Sequence, residues 1–239
     1  MTKNTIRFFL AAAMVVGLVG CGGGGGGGSG TTAPVASSQT FNLQAAYKSY
    51  YAATASYKFN ITGTYGAYPV SGSGTVVIGA VTSGTFEGQP ALQQTMTEIG
   101  SFTANNQTIP LATSAISWLD TNYMPRGSSG GSEYIVVDGT ATIPTAAKIN
   151  DTGSIYTAKR YTTSAKTSLV GTRTVTYVVE ADSVTTALVT LISVDKNNSG
   201  TVTATYTDQY RVTTANTFTK IKETAVDNTN GLSLTLTTN

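Results

Sequence analysis

The chain has 239 residues, of which 40% are hydrophobic and only 11% charged, with a formal net charge of +2. Lys3 and Arg7 account for that excess, and the remaining chain balances 12 basic against 12 acidic residues. Such a neutral body offers no electrostatic footprint to nucleic acid and no polybasic patch to a membrane surface. With no histidine and one cysteine, Cys21, it has neither a transition-metal ligand set nor a disulfide to hold the fold.

Residues 1–20 read as a cleaved targeting peptide. Lys3 and Arg7 form its positive start, and Phe8 to Val19 form an apolar run of 12 residues, shorter than the roughly 18 expected of a membrane-spanning helix. The run ends in Leu18-Val19-Gly20-Cys21, followed by Gly22 to Gly28. These four residues resemble the lipobox of bacterial lipoproteins. The resemblance implies cleavage between Gly20 and Cys21, and a diacylglyceryl thioether plus an N-acyl chain on Cys21, with no other cofactor. Each buried methylene contributes about 0.8 kcal/mol, so several acyl chains make the membrane attachment effectively permanent. Gly22 stands where the family's inner-membrane retention signal is Asp, which implies the outer membrane and leaves the face of that membrane open. An ordinary secretion signal would make Cys21 incidental, yet it is the sole cysteine and sits at the cleavage point. A buried N-terminal helix would not explain the charged-then-apolar order.

Residues 21–40 read as a flexible Gly/Ser/Thr-rich linker. A coil of roughly 19 residues averages about 25 Å end to end, enough to clear the headgroup layer. The glycine run lacks a preceding strand, a following helix and a Gly-Lys-Ser ending, so it is no phosphate loop.

Residues 41–239 read as a single β-rich domain. Threonine supplies 44 residues of the chain and tyrosine 13, both suited to a pleated, half-buried surface. Residues 41–53 are the one expected helix: Leu43, Ala46, Tyr47, Tyr50 and Tyr51 recur at helical spacing, with Asn42 as N-cap and the stripe read as core packing. From Ser56 the period becomes two, with Tyr57, Phe59, Ile61 and Tyr65 on one face. A turn over 67–74 then leads to a strand over 75–80. Weaker strands follow over 91–102 and 109–119, joined by an Asn105-Asn106 turn. Pro125 to Ser132 is the strongest internal breaker, with a strand resuming at Tyr134; it could separate two lobes, but the like composition on both sides favours a single continuous sheet system. Farther on, Val175, Tyr177 and Val179 share a face, as do Val202, Ala204, Tyr206, Tyr210 and Val212. The last strands are 218–226 and the alternating Leu232, Leu234 and Leu236. Together these predict a mainly β fold, an antiparallel up-and-down meander forming a curved sheet, half-barrel or sandwich with one short N-terminal helix.

That order of lipobox, linker, helix and meander resembles uncharacterised outer-membrane lipoproteins of Gram-negative bacteria. It is also loosely similar to the half-barrels of periplasmic lipoprotein carriers, a likeness of order alone. A membrane-spanning barrel is disfavoured by the absence of aromatic girdles.

Several motif matches carry no chemistry. Gly127-Ser128-Ser129-Gly130-Gly131 fits a serine-hydrolase elbow, but no histidine exists to take the proton, and the stretch reads as a turn. Asp195 to Gly200 begins like a calcium loop, but Tyr206 stands at the position of the closing acid, and the stretch reads as a hairpin turn with Gly200 left-handed. Ser193 and Lys196 would not meet on a strand. Glu87, Glu98, Asp120, Glu133, Asp138 and Glu180 are scattered, so a carboxylate pair could arise only by long-range folding. No catalytic residue and no metal is expected. The functional expectation is a membrane-tethered, non-enzymatic interaction or structural domain of the envelope, with an envelope protein as partner. The alternative is a carrier of an apolar or acyl ligand among Tyr57, Phe59, Trp118, Tyr206 and Tyr210, and a third reading is a glycan-binding surface.

Overall fold

A computed structural model describes residues 34 and 36–239. Gly20, Cys21 and the glycine run lie outside the described residues. Ser37 is buried against the folded body, its hydroxyl donating to the Val184 carbonyl at 2.9 Å.

The apolar stripe of 41–53 forms helix α1, Leu43–Ala52. Asn42 caps it, its Oδ1 accepting from the Ala45 N–H at 2.9 Å. No glycine closes the other end. Instead the buried Gln94 reaches in from a distant strand, its Nε2 donating to the carbonyls of Tyr51 at 2.8 Å and Ala53 at 3.2 Å, which satisfies acceptors the helix leaves open.

The strands that follow are β1 (Ala55–Tyr65), β2 (Tyr68–Ile78), β3 (Thr82–Phe86), β4 (Gln89–Ala104), β5 (Gln107–Leu119), β6 (Pro125–Gly130), β7 (Glu133–Asp138), β8 (Thr152–Tyr161), β9 (Leu169–Ala181), β10 (Thr186–Asn197), β11 (Val202–Thr213), β12 (Phe218–Asp227) and β13 (Leu232–Thr238). The pairings are antiparallel throughout. Those of β1 with β13 and of β2 with β4 join the ends of the meander into a 12-strand barrel, with β3 attached to β4 alone. The predicted mainly β, up-and-down fold with one short helix is therefore formed. It closes into a barrel rather than staying an open curved sheet or splitting into a sandwich, which leaves few strand edges exposed.

The turns follow the chemistry of their residues. Asn105 and Asn106 adopt φ +50° and +57°, as a two-residue hairpin demands, and Gly200 takes φ +83° between β10 and β11. Two expected breaks are absent. The turn expected over 67–74 shrinks to Gly66 and Ala67, because Tyr68 to Gly74 already pair with β1. Pro125–Gly130 is likewise a strand, paired with β5 and β7, with the turn confined to Gly131 and Ser132. The small residues there serve packing. A Cβ on Gly127 would lie 2.3 Å from Phe86 Cζ and 2.2 Å from the Ile135 carbonyl oxygen, because the β3–β4 hairpin lays Phe86 across β6.

Alternation places one row of each strand inside the barrel. One apolar cluster gathers Phe41, Leu43, Ala46 and Tyr47 against Val175, Val179, Val189, Leu191, Tyr210 and Val212, so the helix is received by β9 to β11. A second cluster joins Phe59, Ile61, Val70, Val76, Phe102, Leu111 and Leu234 at the closure. The seam between β2 and β4 is unusually close. A Cβ on Gly100 would lie 2.3 Å from the Ser73 carbonyl oxygen and 2.6 Å from Gly74 Cα. Gly100→Val should therefore lower the unfolding free energy by about 1–3 kcal/mol, read as a shifted urea midpoint. Ser101→Val, on the exposed face beside it, should stay within about 0.5 kcal/mol of the parent.

Candidate functional site

The barrel encloses two charged groups that local sequence reading did not assemble. In the first, the β9 side chain Arg173 and the β10 side chain Asp195 are 1% and 0% exposed. Their bidentate pair measures 2.6 Å from Nε to Oδ1 and 2.7 Å from Nη2 to Oδ2. Arg160 on β8 bridges Asp195 at 3.2 Å to Glu133 on β7, which it also contacts directly. The Tyr206 ring lies 5.7 Å from the Arg173 guanidinium. Burial opposes the charge on Arg173, but the Asp195 carboxylate outweighs it and raises the pKa. Two cations and two anions balance here, so the group is a closed ionic layer.

In the second group, Lys220 on β12 contacts Asp208 on β11 and reaches Glu223 at 2.8 Å. Its ammonium lies 5.5 Å from the centre of the Tyr210 ring. Glu98 on β4 belongs to the same electrostatic group. Burial, reinforced by the charge of Glu223, pushes its carboxyl up to about 8. Burial likewise raises Glu223, partly offset by Lys220. One Glu98 oxygen accepts from Thr113 Oγ1 at 3.3 Å, and Oε1 is buried without a hydrogen-bond partner. Three carboxyls thus share one ammonium, and Glu98 holds its proton at neutral pH.

Long-range folding has therefore gathered carboxyls, as a proton-transfer site would require. Access is what limits their chemistry. Glu98 is 3% exposed, and the cavity beside Lys220, lined by Tyr50, Tyr51, Gln94, Asp208 and Glu223, has a volume of about 20 Å³, room for about one water. A second internal cavity, between Tyr47, Tyr51, Tyr156 and Tyr210, is about 50 Å³. Neither admits a sugar ring or an acyl chain.

Space of ligand size lies in the wall. A cleft of about 360 Å³ opens between the start of β1 and the start of β12, within the range of small-ligand sites. Ser49, Tyr50 and Ala53 of the helix end form its inner side, Ala55 and Tyr57 one flank, Phe218, Thr219 and Lys220 the other, and Thr238 and Asn239 its end. Its aromatic floor is fixed from behind: Tyr210 stacks on Phe218 at 5.2 Å and meets Tyr50 edge-on at 5.3 Å.

The residues singled out by sequence fall in different places. Tyr57, Phe59, Tyr206 and Tyr210 are on inward rows, as expected, and only Tyr57 lines the cleft. Trp118 alternates against the inward Ser117 and stacks on Phe86 at 5.4 Å, although it also edges the 50 Å³ cavity. Gly127 to Gly130 belong to β6 rather than to a turn. Ser193 is buried while Lys196 is exposed on the other face. Asp195 is consumed by the arginines, and the hairpin turn after it is held by Asn197 Oδ1, which accepts from the Ser199 and Thr201 N–H groups at 3.0 Å. Asp120 caps its own turn, Asp138 pairs with Lys159 at 3.5 Å, Glu180 accepts from Thr190 Oγ1, and Glu87 binds Lys166 and Tyr134.

No family model matches the chain, and no curated protein or solved structure matches it.

Proposed function

We propose that this is an outer-membrane lipoprotein whose β-barrel serves as a non-enzymatic interaction domain, held by acyl chains on Cys21 and carried on the linker that follows. The observation that supports this reading best is a lumen filled by α1 and by self-balanced charges, inside an outer wall of threonine and serine. Exposed large apolar residues are few: Val77 and Ile99 are diagonal neighbours across the β2–β4 pair, and Leu169 and Val202 lie on β9 and β11. A lipid-embedded barrel would instead need a continuous apolar band about 25 Å tall, so the wall suits a barrel bathed in water and tethered to the membrane. The filled lumen speaks against conduction, and the buried carboxyls, shielded from anything larger than water, speak against turnover.

Cys21→Ser tests the anchor. The parent should incorporate labelled palmitate and sediment with membranes, and the variant should lose both properties; a variant that stays in the membrane fraction overturns the tether. The interaction reading is checked by cross-linking intact envelopes and recovering the protein, since recovery of nothing above background would contradict it.

A second reading, ligand binding, is favoured by the cleft alone. Of the three cavities lined by described residues, the cleft suits an acyl ligand best, because the enclosed ones of about 20 and 50 Å³ are far below the roughly 300 Å³ of the smallest ligand pockets.

A further inference from the structure

The two buried charged groups differ in one chemical respect. Arg173 carries a guanidinium, which keeps its proton and is no nucleophile. Lys220 carries a primary amine, whose lone pair is freed once a neighbouring carboxylate takes a proton. The other lysine–carboxylate pairs among the described residues lie in water: Lys159 and Asp138 are 52% and 43% exposed, Lys166 and Glu87 38% and 25%. The side chains of Lys220, Asp208 and Glu223 are 11%, 2% and 12% exposed.

Strand register assembles these three. Asp208 on β11 stands opposite Glu223, and Tyr210 opposite Lys220. The extra residue Ile221 lets Lys220 and Glu223, three positions apart, share one inward face. The Lys220 ammonium contacts Asp208 Oδ1 and donates to Glu223 Oε2 at 2.8 Å. Glu223 and Asp208 are also hydrogen-bonded to one another, and two carboxyls so joined hold one proton between them. Burial works against the Lys220 charge, but Asp208 and Glu223 outweigh it and raise the pKa, so the amine forms only as its proton crosses to a carboxylate. A nucleophile, an electrophile and a carboxyl touching both are thus enclosed together, walled by Tyr50, Tyr51 and Tyr210.

We propose that Lys220 Nζ and the Asp208 carboxyl condense into an amide, a covalent link between β12 and β11 that the chain makes by itself, with Glu223 carrying the protons. Glu223, as carboxylate, takes a proton from the ammonium. The freed lone pair attacks Cγ of the protonated Asp208 carboxyl and forms the C–N bond. Glu223 then returns its proton to the Asp208 hydroxyl, the C–O bond breaks and one water leaves. The nitrogen gives its surplus proton back to Glu223. One ammonium, one carboxyl and one carboxylate become an amide, a carboxyl and a water, so atoms and charge balance without a co-reactant. Surrounding water would favour the ionised pair. Here the released molecule enters a cavity of about 20 Å³ bordered by all three side chains, room for about one water. Contact between the partners replaces a bimolecular encounter, and the step removes an ion pair that burial penalises. It happens once per chain, so it needs no access for a substrate. The link closes the β11–β12 hairpin, in a chain whose single cysteine can form no disulfide within it.

The test is a peptide map of the full lipidated chain, purified in detergent, unfolded and cut with trypsin. An unlinked chain gives separate peptides 197–211, 212–220 and 221–222. The expected result is a branched product joining 197–211 to 212–222, lighter than the two by one water and uncut after Lys220. Fragmentation should place the link between Asp208 and Lys220. Asp208→Ala and Lys220→Arg should each lose the branched product. Glu223→Gln keeps both partners, and its yield after a fixed time should fall about a hundredfold or more, as loss of a proton carrier requires. Glu223→Met gives the same reading should Glu223→Gln not fold, and the parent map needs no substitution at all. Separate linear peptides from the folded parent overturn the amide. So does a loss of water confined to 197–211, the mark of a cyclic imide at Asp208, or a link from Lys220 to Glu223. Parental yield in a folded Glu223 variant overturns the proton-carrying role and with it the proposed route.

Discussion

Arg173→Met should lower the unfolding free energy by about 3–5 kcal/mol, because it strands a buried carboxylate. Asp195 is 0% exposed and takes two hydrogen bonds from Arg173. With the guanidinium gone, it retains only the Arg160 contact at 3.2 Å, and Arg160 is already committed to Glu133. Urea midpoints of the single and double variants read the effect. Arg173→Met with Asp195→Leu should recover much of the loss, since a matched apolar pair has no charge to desolvate. If the double variant is as unstable as the sum of its parts, the two side chains are not coupled, and the ionic layer is not the unit described above.

The second large effect is one of pH, and it lies in the other charged group. The folded pKa of Glu98, about 8, is above the unfolded value of 4.5, so the folded protein holds a proton that the unfolded chain releases. The stability gained is complete below pH 4.5 and is lost as pH rises through about 8. Glu98→Gln keeps the shape and cannot ionise. Relative to the parent it should gain on the order of 3 kcal/mol at alkaline pH and much less in acid. Glu87 and Asp182 act in the opposite sense. Hydrogen bonding to Lys166 and to Arg211 lowers their pKa values, so their contributions are present above the unfolded values and disappear as pH falls through the depressed ones. The acid limb of the stability profile should therefore be the same in both proteins. Parallel alkaline limbs would show that Glu98 is not the group holding the proton.

The lumen of this barrel explains why those residues escaped a local reading. On β11, Asp208 lies on the same row as Tyr206 and Tyr210, so an acid on an otherwise inward apolar row was the available signal. Arg173 shows the same signal beside Val175 and Val179. Asp195 could not be separated from the turn that follows it, because its partner is 22 positions away. Lys220 and Glu223 were hidden by the irregular register of β12, where Gln209 pairs with Lys222 and Tyr210 with Lys220, leaving Ile221 as the extra residue. A bulge of this kind shifts the alternation by one, so a period-two reading splits residues that share a face.

What the sequence determined by itself had short-range causes, although the Gly/Pro/Ser content of 67–74 and 125–130 pointed to breaks where β2 and β6 run. The helix came from a stripe repeating every three or four residues behind Asn42, the strands from alternation, and the Asn105-Asn106 turn from tolerance of positive φ. The lipobox likeness and the neutral charge are local in the same sense. Only the tertiary structure decided that the meander closes, because closure depends on Phe59 meeting Thr238 and Gly72 meeting Phe102 across a seam whose tightness glycine permits. It alone placed Phe86 over Gly127 and turned an expected break into β6. It also decided where the cleft lies, since its flanks on β1 and β12 come side by side only once strands far apart in the chain have been brought together.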